Sequence, residues 1–336
     1  MKKIKIGIAS FAHMHAFSYA RVLKQMDNVE IAGFCDLDDA RARRVVNEFK
    51  LPRLPTYEKL AALDGLDAVL VTTETANHVD AALAAMERGK HVIVEKPIAT
   101  RLDDAKRMID AASRHGVKLF QCYPCRYHPS AQEAKKAIAS GEAGDILGIT
   151  STNHGCMPDA RDPATAWFSS KQLAGGGAVM DHTTHAADLL FWFTGWTPKH
   201  VFGIAKRLFH DGIDCDDAGM VLLSFENGAA ASIDPSWSRP EAYPTWGDLT
   251  MVVYGSKMTI VIDMFNQNID VFFNDREKSA EWHPFGPDAN STMLDHYIKA
   301  IDEDLPPPVS GEDGRRALKV ALLAYESNDK GTHVDW

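Results

Sequence analysis

The chain lacks three features that would each point to a different class of protein. Its five cysteines are an odd number spread widely along 336 residues, which argues against a disulfide framework. No apolar stretch approaches the ~20 residues that a membrane-spanning helix needs. Lys and Arg total 36 against 46 Asp and Glu, and no basic block offsets the formal net charge of −10. We therefore expect neither a nucleic-acid partner nor a membrane partner.

A secretory signal is also absent from the pattern. The N-terminal run has lysines before apolar residues, but its apolar part is too short and continues directly into folded-domain patterning. We therefore expect a cytoplasmic protein. The chain is long enough for two domains, and its hydrophobic content of 45% can fill two cores.

Glycine is missing where a nucleotide-binding turn needs it. A dinucleotide site has the pattern G-x-G-x-x-G after its first strand, but here the sequence reads Ser10-Phe11-Ala12-His13-Met14-His15. The glycines permit a tight turn and a close backbone approach to the pyrophosphate. Ser10 and Ala12 are small, and the Ser10 hydroxyl, His13 and His15 could supply hydrogen-bond donors. An ordinary strand-to-helix turn is the alternative interpretation.

What is present begins with alternating strands and helices. Strands are predicted at Ile4–Ala9, Val29–Cys35, Ala68–Thr72, Val92–Val94 and Lys118–Cys122. Helices are predicted between them at 15–26, 38–50, 79–88 and 102–115, and two of these end at Gly89 and Gly116. This alternation predicts a doubly wound parallel sheet, and we assign residues 1–122 to a dinucleotide-binding domain.

The pattern changes after Pro129. A predicted helix is followed by many short β-rich runs at 146–153, 200–208, 219–225, 229–233, 249–254, 259–262 and 269–273. Asn227-Gly228 is a strong hairpin turn between two of them. Two helices are predicted to close the chain, at 292–303 and 311–327. We expect residues 123–336 to form an α+β domain with a large, mostly antiparallel sheet.

Chemistry-bearing residues lie at two places. Lys96 follows the buried run His91–Val94, at the carboxyl end of a strand, where open α/β sheets bind their ligands. Asp181 and His185 are four residues apart in a predicted helix, and so share one face of it. A lysine, a carboxylate and an imidazole are what hydride transfer from an alcohol would use. Asp36 ends the second strand, where a carboxylate accepts hydrogen bonds from the adenosine ribose, which favours NAD over NADP.

Several segments together resemble the glucose-fructose oxidoreductase/inositol dehydrogenase (Gfo/Idh/MocA) family. The resemblance extends over essentially the whole chain and depends on six segments: residues 73–78, 89–97, 126–129, 175–185, 311–314 and 324–327. It implies a Rossmann domain followed by a C-terminal α/β domain whose open sheet often builds homodimers or homotetramers. It also implies NAD(P)-dependent oxidation or reduction of sugars, inositols or other polyols. Two departures are the missing glycines and Glu74, which replaces the usual proline of Thr-Pro-Asn.

The resemblance also implies roles for individual residues. Lys96 would polarise the reacting hydroxyl, His185 would act as general base, and Asp181 would orient the substrate or the imidazole. The expected cofactor contacts are Ser10, Phe11, Ala12, His13, Asp36, Thr73, Thr75, His78, Glu95 and Lys96. The weaker candidates for substrate contacts are Arg126, His154, Trp167, His182 and Arg239.

Three alternatives stay open on the sequence. His182, His185 and Asp188 have a spacing that could bind a divalent ion, although we expect no metal. Cys122 and Cys125 form a C-x-x-C pair, which we interpret as two small residues at a strand end. A non-catalytic NAD-responsive regulator, or redox-neutral sugar chemistry with a recycled nicotinamide, would also suit this fold.

Overall fold

The computed structural model describes residues 3–159, 165–272 and 280–336, so that Phe273, the predicted end of one strand, lies outside it. The first part contains β1 (Ile4–Ala9), α1 (His15–Gln25), β2 (Val29–Cys35), α2 (Asp39–Phe49), α3 (Tyr57–Ala61), β3 (Ala68–Val71), α4 (His78–Met86), β4 (His91–Val94), α5 (Leu102–His115) and β5 (Leu119–Gln121). It continues with α6 (Pro129–Ala139), β6 (Ile146–Cys156), α7 (Lys171–Ala174), α8 (Ala178–Thr194), β7 (Pro198–Lys206), β8 (Ala218–Phe225) and β9 (Ala230–Arg239). The last elements are β10 (Thr250–Gly255), β11 (Thr259–Asp263), β12 (Asn268–Phe272), β13 (Ala280–Pro284), α9 (Ala289–Asp302), α10 (Gly311–Lys330) and β14 (Val334–Asp335).

The chain divides into two compact units. The first consists of residues 1–124, 159–175 and 290–318, and the second of residues 125–158, 176–289 and 319–336. No helix in the described parts of the chain is long and apolar enough to cross a membrane.

The first unit contains a five-stranded parallel sheet in the order β2-β1-β3-β4-β5. All four residues of β3 are buried, as are the last three of β4, because helices connect consecutive strands and cover the sheet. The predicted doubly wound parallel sheet is confirmed. The carboxyl ends of β1, β2, β3 and β4 carry the residues predicted to bind a cofactor.

The second unit contains a seven-stranded sheet in the order β11-β10-β6-β9-β8-β7-β14. Among the described strands of this sheet, only the β6–β9 pair is parallel, so the predicted mostly antiparallel sheet is confirmed. Strand β9 continues to Arg239, although the sequence predicted its end at Ile233. Pro235 lies within the extension, and pairing with β8 is interrupted on either side of it, between Ile233 and Ser236.

Helix α8 is the element of the second unit that carries Asp181 and His185. Its described residues are buried almost throughout, and it ends at Gly195, whose φ of 65° lies in the left-handed region that favours glycine. At its start, Gly177 and Val179 donate backbone hydrogen bonds to the Asp216 carboxylate at 3.0 and 2.7 Å. A Cβ on Gly177 would lie 1.8 Å from the Asp216 carbonyl oxygen, so only glycine fits there. The glycine run therefore permits the close packing that fixes the start of the helix.

Candidate active site

In the first unit, the turn from β1 into α1 lies where a dinucleotide site would have its glycine-rich loop. Ser10 stands at the first glycine position and has φ 71°, in the left-handed region that favours glycine. Its hydroxyl donates to Asp36 at 3.2 Å and accepts from the Ala12 backbone at 3.1 Å. Thr72 donates its hydroxyl to the Ser10 carbonyl at 2.6 Å. These hydrogen bonds hold a serine in a conformation that a glycine would adopt without strain.

Asp36, at the end of β2, is joined to this loop and to a guanidinium. Its carboxylate accepts from the Phe11 backbone at 2.8 Å and from Arg41 at 3.2 Å. Arg41 also pairs with Glu74 at 3.2 Å, so the Glu74 carboxylate is held against a cation as well. Burial opposes the charge of Arg41, but the hydrogen bond and charge of Asp36 and the charge of Glu74 outweigh it and raise the pKa of Arg41. The three charges sum to −1.

Glu95, directly after β4, is a fully buried carboxylate. It accepts from His15 Nδ1 and from the Tyr19 hydroxyl, both at 2.7 Å, and from the Lys96 backbone N–H. Burial by itself opposes ionisation of Glu95. The charges of His13 and His15, the hydrogen bond from His15 and the charge of Lys96 outweigh it and hold the pKa of this carboxyl far below its usual range. Glu95 is therefore ionised, and it ties the helix α1 to the end of β4.

The turn after Lys96 is fixed by a buried histidine. His78 Nδ1 lies 3.0 Å from the Pro97 carbonyl, and its Nε2 lies 3.2 Å from the Thr73 carbonyl. Thr73 and Thr75 are buried beside it. Desolvation lowers the pKa of His78 despite the charge of Glu95 and these carbonyls. The residues predicted as cofactor contacts after β3 thus brace the segment that carries Lys96.

His13 and Trp167 come together in the first unit. The Trp167 indole donates to the Ala12 carbonyl at 3.1 Å, and the His13 ring lies edge-on to Phe168 at 5.1 Å. Trp167 and Phe168 stack on one another at 3.9 Å. These rings lie against the loop before α1, so Trp167, which was predicted as a substrate contact, lies in the first unit beside residues predicted to contact the cofactor.

His13, His15 and Glu95 form the one grouping in the described residues that has the spacing of a metal site, with ligand atoms within 4.8 Å of one another. Hydrogen bonds account for the arrangement, because the His15 backbone donates to His13 Nδ1 at 3.2 Å and His15 Nδ1 faces Glu95. The sequence alternative at His182, His185 and Asp188 does not appear as such a grouping among the described residues. Asp188 instead accepts two hydrogen bonds from Arg126, at 2.6 and 2.8 Å.

In the second unit, α8 brings Asp181, His182 and His185 to the sheet. Asp181 Oδ2 accepts from the Trp237 indole at 3.3 Å and lies 3.3 Å from His182 Nε2. His182 Nδ1 lies 2.8 Å from the Asn153 carbonyl of β6. The Cys125 sulfur lies 3.7 Å from His185 Nδ1. Asp181 and His185 thus lie one helical turn apart, as expected from their spacing.

Two further substrate candidates form a separate charged group in the second unit. His154 Nε2 lies 3.3 Å from Asp234, and Arg239 is paired with Asp248. Asp248 also accepts from the His154 backbone at 3.2 Å. Asp248, Asn153 and Tyr19 were not predicted from the sequence. No motif surrounds these residues, and their roles depend on contacts between distant segments.

Residues 4–123 match a family model described as an oxidoreductase family with an NAD-binding Rossmann fold. The protein is therefore an NAD(P)-dependent oxidoreductase. Residues 131–261 match a second model, the GFO/IDH/MocA C-terminal domain. The chain belongs to the Gfo/Idh/MocA family.

Named relatives extend along nearly the whole chain. D-xylose 1-dehydrogenase (NADP(+)) 2 of Haloferax volcanii is 28% identical over 313 residues, which are 93% of each chain. Myo-inositol 2-dehydrogenase of Thermotoga maritima is 28% identical over 341 residues, covering 98% of this chain and 96% of the relative. The crystal structure of GenD2 from gentamicin A biosynthesis, in complex with NAD, has 25% identity and a TM-score of 0.90, covering 100% of this chain and 97% of that one.

Proposed function

We propose that the protein is an NAD-dependent dehydrogenase that transfers a hydride between nicotinamide and a CH–OH group of a sugar, inositol or similar polyol. The observation that carries the proposal is the placement of Lys96 and Glu95 directly after β4, at the carboxyl edge of an NAD-binding Rossmann sheet. The relatives named for D-xylose and myo-inositol oxidation support the substrate class. The nicotinamide, when bound, accepts or gives the hydride.

The proposed cofactor site uses residues that the first unit brings together. Ser10, Phe11 and Ala12 lie in the turn before α1, whose N-terminus would favour a pyrophosphate. Arg41 beside Asp36 could attract the 2′-phosphate of NADP, and one relative is named for NADP. Asp36 and Glu74 place two carboxylates against the Arg41 guanidinium, and the neighbouring Arg53 is itself paired with Asp39, so negative charge is in excess and would repel a phosphate. This balance is the reason for proposing NAD.

The proposed chemistry assigns one role to each polar group. The Lys96 ammonium polarises the reacting oxygen and stabilises a developing alkoxide. His185 accepts the hydroxyl proton, which suits an imidazole near neutral pH. Asp181 orients the substrate. The Cys125 sulfur lies 3.7 Å from Nδ1 of this imidazole.

The test begins with equilibrium titration of the purified protein with NAD and NADP. A panel of sugars, inositols and linear polyols is then assayed for NADH formation. We expect NAD to bind more tightly than NADP, and at least one polyol to be oxidised. Binding of neither cofactor would refute the proposal. NADP binding that is tighter in the Glu74→Gln variant would support the charge argument for selectivity.

Variants then test the residue roles. Lys96→Ala and His185→Ala should each lower kcat by at least about 100-fold with a smaller change in KM. Lys136→Ala and His115→Ala change the same residue types on exposed helix faces and should leave kcat unchanged. Near-normal turnover in both site variants would show that the roles are wrongly assigned. Tightly bound cofactor with product formed but no net NADH would favour redox-neutral chemistry, and bound NAD with no turnover would favour a regulator.

A further inference from the structure

The first backbone N–H groups of α8 take their partners from outside the helix. A helix start leaves such groups without an acceptor inside the helix. Three successive groups, at residues 178–180, donate in turn to the Asp216 carbonyl at 3.0 Å, the Asp216 carboxylate at 2.7 Å and the Tyr325 hydroxyl at 3.1 Å. Asp181 follows them, and its N–H donates to the Gly177 carbonyl at 3.0 Å. Asp181 is thus the first residue after the capped groups, and its hydrogen bond closes the first turn.

Tyr325 and Asp216 form this cap together. The Tyr325 hydroxyl donates to Asp216 Oδ1 at 2.6 Å, and its oxygen also accepts from the Gly177 N–H at 3.2 Å. Burial and the charge of Asp216 raise the pKa of this hydroxyl well above its usual range, so that it keeps its proton. A Cβ on Gly176 would lie 2.1 Å from the hydroxyl oxygen, so the glycine there leaves room for the cap. The hydroxyl therefore donates once and accepts twice, which uses its full hydrogen-bonding capacity.

Tyr325 is held in place by the packing of α10 on β7. Gly203 of β7 lies so close to α10 that a Cβ there would be 2.3 Å from the Ala324 carbonyl oxygen. The Gly203 N–H donates to the Ser327 hydroxyl at 3.0 Å, and that hydroxyl donates to the Thr332 carbonyl at 2.6 Å. Residues on both sides of Tyr325 are thus fixed to the sheet, so its hydroxyl has a defined position.

Asp216 is held by the segment that joins β7 to β8. Three successive N–H groups, at residues 208–210, donate to the carboxylate of the next residue, Asp217, at 2.6–2.9 Å. The Asp217 N–H donates to the Lys206 carbonyl at the end of β7 at 3.0 Å. The cap of α8 therefore depends on two segments of the second unit that are far apart in sequence and are each fixed to the sheet.

We propose that Tyr325 is a positioning residue, whose hydroxyl caps the first turn of α8 and so holds Asp181 in the orientation that the reaction needs. The proposal rests on the proposed function in one respect, the role of Asp181 in orienting the substrate. Fraying at a helix end is confined mainly to its terminal turn. His185 lies one turn further along the helix, so loss of the cap should displace Asp181 more than His185.

The first experiment needs neither substrate nor cofactor. Backbone hydrogen exchange is measured by NMR, residue by residue, in the parent and in Tyr325→Phe, which keeps the ring and removes only the hydroxyl. The Asp181 amide, which donates to Gly177 and not to the tyrosine, should exchange about tenfold faster in the variant, because the first turn opens more often. Amides in the last turn of α8, at residues 190–193, should change less. Tyr254→Phe, which changes an exposed tyrosine of β10, is the matched control.

Three results of this experiment would overturn the proposal, whatever the protein's activity. The first is unchanged protection of the Asp181 amide in Tyr325→Phe. The second is an equal loss of protection at both ends of α8, because a residue that only supports the fold would loosen the whole helix. The third needs no variant: an Asp181 amide that exchanges as fast as an exposed amide in the parent would mean that the first turn is open although the cap is present.

The second experiment asks whether Tyr325 acts through Asp181, and it uses a polyol that the parent oxidises. Tyr325→Phe is made in the parent and in Asp181→Asn, and kcat/KM is measured for all four proteins. We expect Tyr325→Phe to lower kcat/KM about tenfold in the parent but less than about twofold in Asp181→Asn, where no carboxylate remains to be positioned. An equal fall in both backgrounds would overturn the proposal. If the parent oxidises no polyol, the proposed function fails, while the exchange measurements still decide whether Tyr325 positions Asp181.

Discussion

Two turns lead into helices that carry candidate site residues, and they differ in whether glycine is required. The loop before α1 has no glycine, although Ser10 has the left-handed φ of 71° that glycine would supply. The turn before α8 retains three, and a Cβ on Gly177 would lie 1.8 Å from the Asp216 carbonyl. At Ser10 the demand is conformational, and the serine hydroxyl offsets it through hydrogen bonds. At Gly177 the demand is steric, and no side chain can offset it. A glycine is thus irreplaceable where backbone lies opposite it.

Replacing Gly177 should have the largest effect on stability. Gly177→Ala would push a methyl group into the Asp216 carbonyl and separate the start of α8 from the carboxylate that caps it. We expect a loss of about 3 kcal/mol or more in the free energy of unfolding, measured by urea denaturation. Gly228→Ala is the control, because that exposed hairpin glycine has nothing within 4 Å and carries only the cost of its positive φ. Equal losses in the two variants would contradict the steric explanation.

The second prediction concerns Glu95, the buried carboxylate that accepts a hydrogen bond from His15 at the start of α1. The pKa of Glu95 is lowered in the folded protein, so its contribution to stability is present above the unfolded pKa of about 4.3 and is lost as the pH falls below it. Glu95→Gln should be less stable than the parent by about 2 kcal/mol near neutral pH, because buried hydrogen bonds to a charged group are lost. The difference in unfolding free energy between Glu95→Gln and the parent should become smaller as the pH falls from about 5 toward 3.

Unfolding free energies measured across that pH range test this prediction. Glu142→Gln, an exposed carboxylate on the surface of the second unit, should show no such narrowing. A difference between Glu95→Gln and the parent that does not change with pH would mean that Glu95 is not ionised in the folded protein, and that His15 and Lys96 do not lower its pKa.

The elements themselves were predictable, because their signals are local. Buried runs such as Ala68–Val71 and left-handed glycines such as Gly116 identify strands and helix ends within a few residues. Lys96 at the end of β4 follows from the same local pattern. Pairings between distant segments were not predictable. Trp167 and Ala12 lie 155 positions apart, and nothing in either segment indicates that the indole donates to that carbonyl. The long extension of β9 was missed because Pro235 normally indicates the end of a strand.

The third prediction, with a smaller expected effect, concerns the Trp167 indole, which donates to the Ala12 carbonyl in the loop before α1. Trp167→Phe keeps an aromatic ring against Phe168 but removes the donor to the Ala12 carbonyl. We expect a loss of about 1 kcal/mol in unfolding free energy and a measurable weakening of NAD binding by isothermal titration calorimetry. Trp192→Phe changes an indole that lies over Arg126 and Lys135 in the second unit, and it should leave NAD affinity unchanged. Equal NAD affinities for Trp167→Phe and the parent would separate Trp167 from the cofactor site.

The smallest effect is expected at Ser10, where two costs oppose each other. Ser10→Gly relieves a left-handed conformation that costs an L-residue about 1–2 kcal/mol, but it loses the hydroxyl bonds to Asp36 and Ala12, each worth about 1 kcal/mol. The net change in unfolding free energy should therefore lie within about 1 kcal/mol of zero. Ser10→Ala loses the same bonds and keeps the strain, so it should be the less stable variant by about 1 kcal/mol. Equal stability of Ser10→Ala and Ser10→Gly would mean that the left-handed conformation at this position costs little. The serine hydroxyl would then offset no conformational strain, and the contrast with Gly177 would depend only on the steric crowding at Gly177.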